Sequence, residues 1–210
     1  MKTKVSILYV FLALIMVIPI SCKKKSDTSS TVVNVNNTFA KPGNTWTAID
    51  ALTNHMNVSI VSNNNGVASI NLVSGTTTYP YKGYVSETEI DDYIYSNGNE
   101  NSPFTLIRYN AKVGDTYQYT LGGLTATRVV ESINTILSIP GIGNNLSCFR
   151  VKETIPQGMI FAGPTPSYVS QVTYFINQHY GIVKAIVLPS FTNPVPDTMV
   201  LTATNIAPLK

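Results

Sequence analysis

The chain has 210 residues, two cysteines and a formal net charge of +3. The positive excess lies at the start of the chain: Lys2 and Lys4 contribute +2 and residues 22–42 a further +3, which leaves residues 43–210 at −2. A slightly acidic body does not offer the basic surface that a phosphate backbone requires, so we expect no nucleic-acid binding.

The first 20 residues have the layout of a secretory signal. Lys2 and Lys4 precede an almost uninterrupted apolar run over residues 5–20. A basic start followed by a short apolar core is typical of an export signal. The run of 16 residues is shorter than the roughly 20 that cross a bilayer as a helix, so a retained transmembrane anchor is the weaker alternative.

The signal ends in Ser21-Cys22, a small residue directly before a cysteine. This pair resembles the lipobox of bacterial lipoproteins, and the resemblance implies cleavage before Cys22 and acylation of the new N-terminal cysteine. We therefore predict a lipoprotein signal peptide over residues 1–21 and a lipid (palmitate-type) anchor on Cys22 that holds the protein to a membrane. The expected location is the cell envelope, at the outer membrane, with its surface and periplasmic faces both left open.

Residues 22–42 are predicted to be a flexible tether. Lysine, serine and threonine dominate the segment, and such a composition cannot offset the entropy of ordering the chain. A short strand over residues 31–35 is the alternative. Residues 43–210 would then form a single β domain, long enough to bury about 70% of its unfolded surface.

The domain reads mostly as short strands. Two β-branched runs at residues 58–61 and 67–73 flank the turn-prone Asn63-Asn64-Asn65-Gly66, which predicts a hairpin. Further strands are predicted at 77–85, 105–109, 116–120, 125–131, 146–154, 172–176, 182–187 and 199–204, separated by clusters of Gly, Asn and Pro. This pattern indicates an all-β fold, either an antiparallel β-sandwich or a curved half-barrel sheet.

Two segments allow a short helix instead. Residues 44–52 place Trp46, Ile49 and Leu52 near helical spacing behind a potential Asn44 cap, which leaves helix and strand both open. A second helix could begin after Ser86, because residue 89 is a glutamate at the third position from that cap.

One short motif occurs twice. Residues 41–46 and 112–117 both read Lys-x-Gly-[Asn/Asp]-Thr-aromatic. Gly-Asn and Gly-Asp favour a tight turn, and Thr followed by an aromatic residue suits the start of a strand. Either a duplicated half-domain or a coincidence of common strand-entry chemistry would explain the repeat.

A longer ordered set of motifs carries a family resemblance. The set comprises Gly114-Asp115-Thr116-Tyr117, Ile139-Pro140-Gly141, Cys148-Phe149-Arg150-Val151, Thr173-Tyr174-Phe175 and Gly181-Ile182-Val183-Lys184. Over residues 110–187 the chain resembles small exported lipoproteins of the Bacteroidota type. The resemblance implies a curved antiparallel sheet, and most such proteins have no assigned activity.

The sequence offers little for catalysis. It has no phosphate loop, Rossmann fingerprint, zincin helix or Gly-x-Ser-x-Gly elbow. His55 and His179 are far apart and have no clustered acidic neighbours, so we expect no metal and no cofactor, and we place His179 in a turn. With Cys22 acylated, Cys148 has no partner, and we predict it to be a buried, unreactive thiol.

Residues 87–92 contain the one acidic cluster, which comprises Glu87, Glu89, Asp91 and Asp92. With residues 97–100 these carboxylates could bind Ca²⁺, and paired carboxylates are also what a glycosidase uses. A solvated acidic edge or helix start is the simpler interpretation.

Tyrosines surround this cluster. Tyr79 and Tyr81 share one face of a strand, as do Tyr93 and Tyr95 if their segment is extended, so these four form a candidate binding face for a glycan or an envelope protein. Core and cross-strand packing is the alternative role. We predict a non-catalytic binding or structural module, with a carrier of an apolar ligand and a glycan-active enzyme as the other hypotheses. An apolar cavity would favour the carrier.

Overall fold

The computed structural model describes residues 33–34, 38–50, 54–92, 104–121, 123–157, 159, 169–188 and 196–208. Within these residues all regular structure is strand. The strands are β1 (Thr45–Ile49), β2 (His55–Asn64), β3 (Val67–Ser74), β4 (Thr77–Val85), β5 (Glu89–Asp92), β6 (Phe104–Arg108), β7 (Thr116–Leu121), β8 (Leu124–Ile139), β9 (Gly143–Thr154), β10 (Gln171–Asn177), β11 (Gly181–Leu188) and β12 (Asp197–Thr204). Over the same ranges, no helix has the length and hydropathy needed to cross a membrane.

The described strands form one antiparallel sheet built from two consecutive meanders. The order runs from β6 to β1 and then from β12 to β7, so the two halves meet where β1 pairs with β12. The sheet curves until its edge strands β6 and β7 approach each other, which nearly closes a barrel. The all-β prediction is confirmed, and of its two forms the structure has the curved sheet.

Side chains hold the seam between β6 and β7, where the described strands share no backbone ladder. Arg128 reaches from β8 across the seam, and its Nη1 donates to the carbonyl oxygens of Phe104 (3.2 Å) and Thr105 (3.0 Å) on β6. The backbone N–H of Arg108 donates to the Tyr117 hydroxyl at 3.4 Å. The barrel is therefore closed here by a few side-chain bonds.

Period-two alternation directs apolar side chains inward. In β11 the buried residues Val183, Ala185 and Val187 alternate with half-buried neighbours. In β1 the buried Trp46 and Ala48 do the same, so residues 45–49 of the segment left open between helix and strand form a strand. Burial of apolar surface inside the barrel is the main stabilising term of such a fold.

The predicted hairpin is confirmed. β2 and β3 are joined by Asn65 and Gly66, whose φ angles of 49° and 94° are those that a two-residue type I′ turn requires. Asn63 supports the turn, since its Oδ1 accepts from the Gly66 N–H at 2.9 Å.

The helix that could have begun after Ser86 does not form. The Ser86 hydroxyl accepts from the N–H groups of Thr88 (3.2 Å) and Glu89 (3.1 Å), as a helix cap would, but the chain continues into β5. A serine that bonds to nearby backbone N–H groups closes a tight turn equally well, so this signature alone does not decide between the two structures.

The two copies of the repeated motif have the same structure. Gly43 and Gly114 both have positive φ (89° and 94°). Each donates to a carbonyl of the partner strand, Gly43 to Ile60 of β2 (2.9 Å) and Gly114 to Val130 of β8 (2.8 Å). The Asn or Asp that follows accepts in return from the same partner residue (3.0 and 2.9 Å). Each copy opens one of the two meanders.

The antiparallel connectivity gives the barrel two distinct ends. The start of β1, the β2–β3 turn and the end of β12 lie at one end, called here the tether end. Val33 is also at this end, because its N–H donates to the Asn65 side chain at 3.0 Å. The strand termini that flank the β5–β6, β9–β10 and β11–β12 connections lie at the opposite end, called the far end.

Candidate functional site

The interior of the barrel contains a cavity of about 210 Å³. Its wall is almost entirely apolar and draws on both meanders; the described lining includes Trp46, Met56, Ile60, Leu72, Val85, Leu106, Val172, Val187 and Leu201. Several other lining residues, Val58, Ile70 and Ile182 among them, are only half-buried, so the wall is not sealed from solvent throughout. A concave apolar surface with few polar groups is the usual form of a small-molecule site.

Phe39 closes part of this cavity. It packs edge-on against Trp46, with 6.0 Å between the ring centroids. The neighbouring Ala40 is fully buried. Trp46 is fixed in turn by a bond from its Nε1 to the Tyr180 carbonyl (3.0 Å). Residues that the sequence analysis assigned to the tether thus pack against the barrel and contribute to the site.

Few polar side chains border the cavity. Tyr81 is buried on the inward face of β4, and this burial, with a smaller contribution from Tyr79, raises the pKa of its hydroxyl. Asp91 of β5 is also buried, and burial raises its pKa to about 6. A hydrogen bond from a bound molecule to the Asp91 carboxyl group would form in surroundings where it is not weakened by water.

A buried ion pair lies beside the cavity. Arg128 and Glu153 face each other across β8 and β9, with Nε and Oε1 3.0 Å apart and both side chains fully buried. Tyr174, which lines the cavity, donates its hydroxyl proton to Glu153 Oε2 at 2.8 Å. The Tyr119 ring lies 5.0 Å from the guanidinium carbon. The hydrogen bonds within the pair and from Tyr174 offset the cost of burying these two side chains.

Sequence reasoning missed this pair, although a signal was present. Arg128 and Glu153 stand in the inward phase of strands whose other inward residues, such as Ala126, Val130 and Val151, are small or aliphatic. Two opposite charges in the buried phase of two neighbouring strands would have predicted a buried pair.

The acidic cluster does not behave as one solvated edge. Glu89 forms an exposed ion pair with Arg108 (3.2 Å), and Glu87 is exposed, but Asp91 is 9% exposed. The solvated-edge interpretation is therefore wrong for Asp91, because β5 is an inner strand of the sheet between β4 and β6. The Asp92 side chain and residues 97–100 lie outside the described structure. Among the described residues, no three His, Cys, Asp or Glu side chains lie close enough to hold a metal ion.

The structure describes two of the four predicted binding-face tyrosines. Tyr79 is half-buried and Tyr81 is buried, and both follow the inward phase of β4. Tyr93 and Tyr95 lie outside the described residues. Tyr81 thus contributes to the cavity wall, and the role of the four tyrosines in binding a glycan or an envelope protein stays a prediction.

The remaining sequence predictions can be placed directly. Cys148 is fully buried, and desolvation raises the pKa of its thiol to about 11, as expected for an unreactive cysteine. His179 lies in the turn between β10 and β11, with its Nε2 2.7 Å from the Ala207 carbonyl oxygen. The predicted lipidation site, Cys22, lies outside the described residues.

Comparison with known proteins shows a likeness of fold. No protein-family model and no curated protein sequence matches the chain. The structure of a candidate exported protein from Bacteroides fragilis, described as having a YmcC-like fold, is similar with a TM-score of 0.51 at 13% identity, over 79% of this chain and 96% of that one. This similarity shows that the two chains share a fold.

Two further solved structures are more distant. A candidate lipoprotein from Parabacteroides distasonis has a TM-score of 0.46 at 11% identity, covering 80% of this chain and 99% of that one. The hypothetical lipoprotein YmcC from Escherichia coli has a TM-score of 0.35 at 10% identity, covering 86% and 91%. Two of these three structures are described as lipoproteins and one as an exported protein.

Proposed function

We propose that this protein is an exported, lipid-anchored binding protein of the cell envelope that carries a small apolar molecule inside its barrel. The observation that supports this proposal is the apolar cavity, because a cavity of this kind separates a carrier from a purely structural module. Of the functions considered from the sequence, the carrier makes the best use of the interior.

The size and chemistry of the cavity set the class of ligand. At about 210 Å³ it is larger than the cavity of about 150 Å³ that holds benzene in an engineered protein, and it is smaller than most drug-sized sites. Burial of apolar surface contributes about 25 cal/mol per Å². A small hydrocarbon group, such as the end of an acyl chain or a single ring, fits these limits.

The anchor rests on the sequence of residues 1–22. An apolar export signal that ends in Ser21-Cys22 supports acylation of Cys22. We expect Cys22→Ala to leave the chain unprocessed or to release it from the membrane fraction. Intact mass measurement of the mature N-terminus tests this directly, and an unmodified Cys22 on a soluble protein would contradict the anchor.

Filling the cavity tests the carrier function. Ala185 is fully buried and lines the cavity, so Ala185→Leu places a larger side chain in the space that a ligand would occupy. We expect the affinity for a single-ring probe, toluene, read from the change in Trp46 fluorescence, to fall at least about tenfold, or about 1.4 kcal/mol. Ala203→Leu, the same change at an exposed position of β12, is the matched control and should leave the affinity unchanged.

Two results would contradict the carrier. In the first, the wild-type protein does not bind the probe. In the second, Ala185→Leu binds it as tightly as Ala203→Leu does. A thermal unfolding curve for both variants confirms that each is folded, since overpacking costs typically 1–3 kcal/mol.

A further inference from the structure

Asp91 is an acidic residue in the wall of a cavity that is otherwise largely apolar. Its Oδ1 is buried and has no hydrogen-bond partner among the residues that the structure describes. Apart from three tyrosines and Lys82, which is already engaged within the protein, the other described lining residues are apolar. A buried acceptor without a partner is costly, so a group that supplies the missing donor binds more favourably than one that does not.

The surroundings of Asp91 define what can approach it. Thr105 is the residue of β6 that pairs with Asp91, and its side chain favours the charged form of the carboxyl group. The negative charge of Glu89 raises the pKa of Asp91, and the positive charges of Arg108 and Arg128 lower it. Both arginines are already engaged, Arg108 with Glu89 and Arg128 with Glu153 and two backbone carbonyls.

We propose that the ligand is an amphiphile whose apolar part fills the cavity and whose uncharged or positively charged head donates a hydrogen bond to Asp91. This inference rests on the carrier function proposed above and specifies its ligand. Alcohols and protonated amines meet the requirement. A fatty-acid carboxylate does not, because it would place a second negative charge beside Asp91 and would leave Oδ1 without a donor.

The single tryptophan provides the assay. Trp46 lines the cavity, so its fluorescence reports on an occupant without any label. Octanol, octylamine and octanoate share one alkyl chain length and differ in the head group. At pH 8, where Asp91 is ionised, we expect octanol and octylamine to bind at least about tenfold more tightly than octanoate.

Substitution of Asp91 assigns the preference to this residue. In Asp91→Asn the advantage of octylamine over octanoate should shrink at least about fivefold, because the amide removes the charge and offers its own donor. Asp115→Asn removes a charge from an exposed turn outside the cavity and should keep the wild-type ratio.

The outcomes are distinguishable. Octanoate binding as tightly as octylamine, or an unchanged ratio in Asp91→Asn, would overturn the assignment of the head group while leaving the carrier function intact. If none of the three compounds and no octane binds, the carrier function itself fails, and the inference about Asp91 fails with it.

Discussion

The buried ion pair between Arg128 and Glu153 allows a quantitative test of the barrel interior. We expect Arg128→Met to lower the free energy of unfolding by about 3–5 kcal/mol, the usual loss when one partner of a buried pair is removed. Both side chains are fully buried and 3.0 Å apart, so the variant leaves Glu153 Oε1 without its donor while Tyr174 still bonds to Oε2. The two bonds to β6 across the seam are also lost.

The same two strands supply a matched control. Arg150 of β9 and Glu131 of β8 are 2.9 Å apart, but their side chains are 43% and 29% exposed, so Arg150→Met should cost less than about 1 kcal/mol. Urea denaturation with linear extrapolation measures both. Replacing both buried partners, in Arg128→Met with Glu153→Leu, should restore part of the stability because no charge is left unpaired. Equal costs for Arg128→Met and Arg150→Met would refute this reasoning.

Three further predictions concern single residues. Burial raises the pKa of Asp91 from 3.8 to about 6, so the native state binds this proton more tightly than the unfolded chain does. The stabilisation that the bound proton provides is therefore lost as the pH rises from about 4 to 6. Asp91→Asn should lack this decline and should be more stable than the wild type by up to about 3 kcal/mol at pH 8, as measured by denaturation at a series of pH values. Cys148 should react slowly with a thiol reagent at neutral pH and quickly in denaturant, because burial raises its pKa to about 11; rapid labelling of the native protein would contradict its burial. Gly141→Ala should destabilise the protein by more than about 1 kcal/mol, because φ is 82° and the new Cβ would meet the Thr202 carbonyl oxygen. The control Gly75→Ala (φ 57°) has open space around the new Cβ and should cost only the backbone strain. Thermal unfolding compares the two variants, and equal losses of stability would count against the packing of the β8–β9 turn on β12.

The strands that could be predicted from the sequence are those rich in β-branched and aromatic residues. Residues 77–85 are mostly threonine, tyrosine and valine, which favour strands, and the predicted bounds are those of β4. β5 was not predicted, because Glu89 and two aspartates are poor strand formers and form one only by pairing with β4 and β6. The second half of β8 was also missed, although three isoleucines in it favour a strand; two of them, Ile133 and Ile136, are exposed.

The site was less accessible to sequence reasoning than the fold. Period two places Tyr79 and Tyr81 on one face, but it does not say whether that face is inside or outside. The face is decided by the curvature of the whole sheet, which also creates the cavity. The burial of Asp91 Oδ1 without a hydrogen-bond partner depends on the pairing of β5 and β6, which includes a register shift after Ile90. Such features follow from long-range pairing and cannot be read from a local pattern.

The pairing of β1 with β12 bears on how the domain would stand on a cell. The first and last described parts of the barrel meet at the tether end, where Asn205 bonds to Thr45 and Gly43. Under the proposed anchoring, an epitope tag added at the C-terminus would extend from the same end of the barrel as the tether to the lipid. A tag inserted at the exposed Gly75-Thr76 turn of the far end would project away from the lipid and would be available to an antibody on whichever side of the membrane the domain resides.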